Sequence, residues 1–235
     1  AVALAAVMNL IGAFLSVAVA LTVTNSVVRI QNDDGTPVEQ LAESPHGQAL
    51  LIILLAGLIG GILWNLFTWL LGLPSSSSHA LFGGIIGSTV AAMSWDGVKW
   101  LGDGTKIDGV VGKIIMPALL SPLIAGAIAM TGTFLVHRFA TRGNAERSAA
   151  GFRWGQIGAA SLMSLAHGTN DAQKTMGVIT LSLIAYGSWD QTDAIPLWVK
   201  VVCAVAIAAG TYLGGWRIIR TLSKGLVDIT RPQGM

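Results

Sequence analysis

Two polar segments interrupt an otherwise apolar sequence, and the first of them could bind an anion. It reads PSSSSH, residues 74–79, between LFTWLLGL and ALFGGIIG. Pro74 would end the incoming helix, and the hydroxyls of Ser75 to Ser78 would cap the outgoing helix, whose unpaired N–H groups and positive dipole end favour an anion. Such groups can surround a tetrahedral oxyanion without a full positive charge, so the anion could also be released. Capping alone would need one serine, and four are present.

The second polar segment reads HGTND, residues 167–171, inside another apolar run. An Asp within a membrane span costs about 2.5–3.5 kcal/mol on insertion scales, which makes Asp171 a functional candidate. Asp171 and Asn170, with carbonyl groups freed at a helix break, would offer oxygen ligands to a small cation, or Asp171 could carry a proton. A purely structural pairing of Asp171 with Lys174, three residues further on, is compatible with either role.

The remaining reactive side chains give weaker signals. His79 follows the serines, and it could orient the turn through hydrogen bonds or take part directly as a proton carrier. Cys203 is the only cysteine, which excludes an intramolecular disulfide and a cysteine metal cluster. A net charge of +2 without a basic patch argues against nucleic-acid binding. We predict no cofactor, no metal site and no catalytic residue.

The composition defines the elements that must position these side chains. The chain has 235 residues, of which 53% are hydrophobic and 11% are charged. Several apolar runs approach the roughly 20 helical residues that cross a hydrocarbon core. The sequence therefore predicts an all-α, polytopic protein of the cell membrane.

The distribution of charge orients the predicted spans. Segment 25–46 is acidic and is predicted outside, whereas segment 138–153 is rich in Arg and is predicted in the cytoplasm. Plain spans are predicted at 1–23, 110–136 and 197–216. Residues 80–93 would form a helix of only about 21 Å, so we predict a re-entrant hairpin over 47–93 with PSSSSH at its tip. A single helix over 154–186 would be about 50 Å long, and its middle, HGTND, is a poor sequence for helix continuation, so we predict a break there.

The stretches PSSSSHALFGGIIG and AHGTNDAQKTMGVI resemble the signatures of the inorganic phosphate transporter (PiT) family. Its members are secondary carriers that move phosphate with a coupling cation. The resemblance covers the whole chain and implies an inverted-repeat transporter architecture that works by alternating access. Each repeat would contain a GANDxAN-like broken helix and a hairpin with a hydroxyl-rich tip, and these would line a shared site.

The resemblance also implies a division of the chain, which is expected to be a fragment lacking both ends. Residues 1–137 would be the C-terminal part of the first repeat, with one span, the hairpin 47–93 and one further span. Residues 138–153 would be a basic cytoplasmic loop. Residues 154–235 would be the N-terminal part of the second repeat, with the broken helix 154–186 and the span 197–216. The remaining acidic motif would lie upstream of Ala1, and the remaining hairpin downstream of Met235.

By position, the resemblance assigns the serine triplet of the tip and its histidine to phosphate, and the acidic motif to the handling of ions and phosphate. The predicted substrate-binding set is Ser75, Ser76, Ser77, Ser78, His79, Gly168, Thr169 and Asn170. The predicted ion-coupling set is Asn170, Asp171 and Lys174. The implied partners are inorganic phosphate, a proton or sodium ion, and the lipid bilayer, with a homodimer left open.

One departure from the family pattern bears on the coupling ion. Lys174 stands where the pattern has a second Asn, and its ammonium group could occupy the place of a bound Na⁺. We therefore predict phosphate import by symport with a proton rather than with sodium.

Three alternatives stay open at this point. The cargo could be sulfate or a metal-phosphate complex, since tetrahedral oxyanions look alike to hydroxyl and amide groups. A passive channel would differ by its lack of accumulation. An intramembrane serine hydrolase could use a tip serine with His79 or His167 and Asp171, although the chain has no G-x-S-x-G motif.

Overall fold

The computed structural model describes residues 2–16, 27–29, 47–101, 109–140, 145–189 and 194–224. Within these ranges, one isolated β-bridge joins Val28 and Val98, and the regular structure is otherwise helical. This confirms the all-α prediction. The α-helices are α1 (Val2–Leu15), α2 (Gln48–Leu70), α3 (Ser77–Met93), α4 (Met116–Ala140), α5 (Ala145–Tyr186) and α6 (Leu197–Lys224). A 3₁₀ turn at Trp95–Gly97 follows α3, and a π-helical turn at Val111–Ile115 precedes α4.

Three helical segments are long and apolar enough to cross a membrane: Gln48–Leu70, Val111–Val136 and Leu197–Trp216. The last two agree with the predicted spans, and the chain is a multi-pass membrane protein. The predicted span 1–23 is described only as far as residue 16, and most of the predicted acidic segment 25–46 lies outside the described residues. The described side chains of α4 are exposed along nearly its whole length.

Helices α2 and α3 form the predicted hairpin, with its tip at residues 71–76. The two helices pack closely because glycines face each other. A Cβ atom added at Gly84 would lie 2.1 Å from the carbonyl oxygen of Gly57, and one added at Gly61 would lie 3.0 Å from that of Ala80. Such a crossing tolerates no side chain at Gly84 and explains the glycine-rich sequence of this region.

The predicted break in the helix over 154–186 is wrong, because α5 is one continuous helix from Ala145 to Tyr186. Most of the predicted loop 138–153 is helical as well. The polar motif stays helical because its side chains find partners without a break. The Thr169 hydroxyl donates to the carbonyl of Leu165, one turn back, and Asp171 pairs with Lys174 on the next turn. The carbonyl ligands expected from a break are therefore not available in this structure.

Helix α5 is the central element of the described part of the chain. On one side it packs against α1 and α6, and their shared apolar cluster includes Ala13, Met176 and Val199. On another side it meets the hairpin through a second cluster, which contains Leu54, Ile85 and Val178. These contacts place the tip of the hairpin beside the middle of α5, which brings the two polar segments together.

Candidate functional site

The four serines at the hairpin tip have different hydrogen-bond partners. Ser75 is bound to the hydroxyl of Thr68 at 2.7 Å, which fixes the turn to the last turns of α2. Ser76 is the N-cap of α3 and accepts a hydrogen bond from the backbone N–H of His79 at 3.3 Å. Ser77 and Ser78 stand on the first turn of α3 and reach across to α5. One serine thus serves as the cap, and two others are directed at the second polar segment.

The polar segment of α5 presents one face to this tip. His167, Asn170, Asp171 and Lys174 follow the spacing i, i+3, i+4, i+7 and therefore share one side of a continuous helix. Asn170 and His167 are exposed on this face, and the His167 side chain is 54% exposed. The side chains of Asp171 and Lys174 are only about a fifth exposed, at 20% and 21%.

Asp171 is the point at which the two segments meet. Its Oδ2 accepts a hydrogen bond from the Ser77 hydroxyl at 2.9 Å, and its Oδ1 accepts one from Ser78 at 3.3 Å. The Lys174 ammonium group lies 3.1 Å from Oδ1, and the Nδ1 atom of His167 lies 3.8 Å from Oδ2. The carboxylate therefore bridges two hydroxyls of α3 and the ammonium group of α5.

Lys174 takes part in the same network. Its Nζ atom donates a hydrogen bond to the Ser78 hydroxyl as well as to Asp171. The i, i+3 pairing with Asp171 that the sequence suggested is therefore present. The ammonium group also contacts the hairpin, so it faces the cluster of hydroxyls and does not point away along the helix. The site combines hydroxyl donors, a carboxylate and a fixed cation within a few ångströms.

Gly168 and Thr169, which were predicted to bind substrate, face α1 instead. A Cβ atom added at Gly168 would lie 2.2 Å from the carbonyl oxygen of Asn9, so the glycine permits close approach of α1. The Thr169 hydroxyl donates to the carbonyl of Gly12 at 2.9 Å. The structure does not bring these two residues together with the tip serines, because they lie on another face of α5.

The geometry also bears on the hydrolase alternative. Among the described side chains, Ser77 donates directly to Asp171, whereas a catalytic triad would place a histidine between them. Ser75 and Ser78 likewise bond to Thr68 and to Asp171 and Lys174. The arrangement resembles a shell of ligands rather than an activated nucleophile.

Several residues that support the site were not predicted from the sequence. Thr68 holds Ser75, and the buried Asn9 donates to the hydroxyl of Thr211 at 2.9 Å, linking α1 to α6 behind the motif. The Trp69 indole N–H donates to the carbonyl of Gly214 at 3.1 Å and ties the hairpin to α6. A polar Asn in the apolar α1 was the one signal in the sequence that could have identified this second layer.

Comparison with known proteins gives matches over the whole chain. The family model described as "Phosphate transporter family" matches residues 1–235. A "Probable low-affinity inorganic phosphate transporter" from Mycobacterium bovis is 58% identical over 100% of this chain and 51% of its own length. A protein of the same description from Bacillus subtilis is 37% identical over 100% of this chain and 64% of its own length. This chain thus spans about half the length of the mycobacterial relative.

A solved structure has a similar fold. It is described as "The sodium-dependent phosphate transporter" and matches with a TM-score of 0.73 over 99% of this chain and 70% of that chain. The two sequences are 16% identical, so this similarity concerns the fold alone. It agrees with the membrane-embedded helical architecture described above.

Proposed function

Since this chain belongs to the phosphate transporter family, we propose that the protein imports inorganic phosphate by symport with a cation. The family and the named relatives are transporters and not enzymes. The observation that supports the proposal most directly is the contact of Ser77 and Ser78 with Asp171 and Lys174. It places hydroxyl donors and a fixed cation, which suit a phosphate, next to a carboxylate that can take up a proton.

The depth of this contact supports a buried transport site. Asp171 lies 15 residues before the end of α5 at Tyr186, which is about 22 Å along the helix axis. The N-terminal end of the hairpin lies near the same helix end, since Gly47 contacts Ala185. The returning helix α3 has 17 residues and is about 25 Å long, less than the roughly 30 Å of a full crossing, whereas α2 is long enough to cross and must tilt if the tip lies within the membrane. We accordingly propose that the hairpin is re-entrant and that its tip lies within the membrane.

Within this site we assign roles according to the observed contacts. Ser77 and Ser78 would donate to the phosphate oxygens. Ser76, as the N-cap, would fix the N-terminus of α3, whose positive dipole end would face the anion. Asn170 and His79 are exposed near the tip and could complete the ligand shell. Gly168 and Thr169, by contrast, would act by positioning α5 against α1.

For the driving ion we propose a proton. The Lys174 ammonium group already provides Asp171 with a positive charge at 3.1 Å. A sodium ion bound to this carboxylate would lie close to that ammonium group, and the repulsion between two cations would oppose its binding. The same repulsion acts on a proton, but a proton bonds directly to a carboxylate oxygen and needs no coordination shell beside the ammonium group.

The test is uptake of labelled phosphate by the full-length protein in proteoliposomes, with the sodium gradient and the pH gradient varied independently. We expect accumulation driven by an inward pH gradient, abolished by an uncoupler, and independent of sodium. Uptake that requires sodium and ignores pH would contradict proton coupling. Absence of phosphate uptake under every gradient would contradict the proposed function itself, and inhibition by excess sulfate would change the substrate assignment.

A further inference from the structure

We infer that the Asp171 carboxylate is an internal anion that occupies the phosphate position in the empty site, so that phosphate binds only after Asp171 takes up a proton. This inference rests on the proposed function, because it concerns the same site. In addition to phosphate transport, Asp171 would occupy the phosphate position before the substrate binds, and the proton would bind before the phosphate.

The contacts of Asp171 are those that a phosphate would need. Two hydroxyls at the N-terminus of α3, from Ser77 and Ser78, already donate to its two oxygens. The Lys174 ammonium group donates to it as well. Hydroxyls, a helix N-terminus and an ammonium group together form a typical anion site. In this structure a carboxylate of the protein satisfies that site, so an incoming anion must compete with it.

The surroundings of Asp171 leave few other groups that could take the proton. From α3 it faces hydroxyls only, and from α5 it faces Lys174 and His167. Helices α1 and α2 contain no charged residue. The residues of α6 in the shared buried cluster, which include Val199, Cys203 and Ala204, are uncharged. Besides Asp171 and Lys174, the titratable side chains in this set and next to it are His167, which is more than half exposed, the exposed His79 beside the tip serines, and the buried Cys203.

The charges balance for one proton and one monovalent phosphate. With Asp171 ionised, its charge and that of Lys174 cancel. When a proton binds to the carboxylate, the hydrogen bonds to the charged oxygens weaken and the pair carries a net positive charge. One monovalent phosphate then restores neutrality, which a site of low dielectric favours. Phosphate without the proton would place two anions side by side, at a cost of several kcal/mol at separations of a few ångströms.

The inference is tested by measuring the affinity for phosphate of the full-length protein at pH 6 and pH 8, calculated from the concentration of the monovalent ion. Two variants, Asp171→Asn and His167→Gln, are compared with the wild type. Asp171→Asn keeps the shape of the side chain and removes its charge. We expect it to bind phosphate at pH 8 at least tenfold more tightly than the wild type and to lose the difference between the two pH values. Gradient-driven accumulation should be lost in the same variant. The matched control is Asp96→Asn, in the 3₁₀ turn after α3, which should behave as wild type.

His167→Gln tests the other titratable group on this face. It should keep the pH dependence of phosphate binding, because the proton is assigned to Asp171. Loss of pH dependence in His167→Gln together with its retention in Asp171→Asn would overturn the assignment. Weaker phosphate binding by Asp171→Asn than by the wild type at both pH values would also overturn it, since the carboxylate would then support the anion site.

A measurement on the wild type keeps the inference testable if the variants do not fold. Addition of phosphate to the purified protein in weak buffer at pH 8 should take up about two protons for each phosphate bound. One binds to Asp171, and most of the second converts the divalent phosphate of the solution into the bound monovalent ion. Uptake of only about one proton, which the phosphate alone would account for, would refute the inference and leave phosphate transport intact. A wild-type protein that neither binds nor transports phosphate would refute the proposed function instead.

Discussion

Removal of the ammonium group of Lys174 is the most informative perturbation of the site. Its Nζ atom lies 3.1 Å from Asp171 Oδ1 and also donates to Ser78. A phosphate oxygen that replaced the carboxylate would lie at a similar distance from this charge. Two unit charges 4 Å apart interact by about 4 kcal/mol at an effective dielectric constant near 20.

The exposure of the pair lowers that value. Both side chains are about a fifth exposed, so water screens part of the interaction. We expect Lys174→Gln to lose about 2 kcal/mol of the free energy of phosphate binding, which corresponds to roughly a thirtyfold weaker affinity. Because the variant lacks the fixed cation, a mobile cation can replace it. Addition of Na⁺ should therefore restore part of the lost affinity, whereas the wild type should not respond to Na⁺.

The assay is equilibrium binding of phosphate at pH 6 in choline and in sodium buffers. Lys174→Arg keeps the charge and should retain most of the affinity, and Lys200→Gln, on the first turns of α6, serves as the matched control. Unchanged affinity in Lys174→Gln, or an equal response to Na⁺ in variant and wild type, would refute the idea that this ammonium group takes the place of a coupling cation.

The contacts of the hairpin and of α1 lead to four further predictions. Ser77→Ala should raise the KM for phosphate about three- to tenfold at pH 6, because a hydrogen bond to a charged group contributes about 1.5–3 kcal/mol when buried and less at this exposed position. Ser75→Ala should leave the KM within twofold, since Ser75 bonds to the hairpin's own Thr68. Gly84→Ala should lower the melting temperature by several degrees, since the added methyl group meets the backbone of α2. Asn9→Leu should change the stability by less than about 1 kcal/mol, as is typical of hydrogen bonds between membrane helices.

Each of these predictions has a control or an opposing outcome. Equal effects of the two serine substitutions on the KM would show that the serines act through the fold of the tip. Gly83→Ala is the control for Gly84→Ala, because a Cβ atom at Gly83 meets nothing within 4 Å, and it should be neutral or stabilising. A large loss of stability in Asn9→Leu would show that the link to Thr211 contributes more than membrane hydrogen bonds usually do.

The hairpin and the two polar segments could be predicted from the sequence because polar residues are costly in an apolar membrane segment and therefore stand out. PSSSSH and HGTND could be identified for that reason alone, and the pairing of Asp171 with Lys174 followed from helical spacing. The prediction failed where it relied on the helix-breaking tendency of Gly and Asn. In α5 Gly168 serves close packing against Asn9, and the tertiary contact outweighs the intrinsic preference.

The faces of α5 could not be assigned from the HGTND motif alone, because the assignment depends on whether the helix is broken or continuous. A broken helix would have allowed every residue of HGTND to face one cavity, whereas a continuous helix divides the motif by its period of 3.6 residues. His167, Asn170 and Asp171 fall on the side of the hairpin, and Gly168 and Thr169 fall on the side of α1. The backbone conformation at five residues therefore decides which side chains of the motif lie on the side of the hairpin. Apolar contacts such as those of Val178 with the hairpin cluster hold that conformation, and apolar side chains are too similar to one another for the sequence to identify their partners.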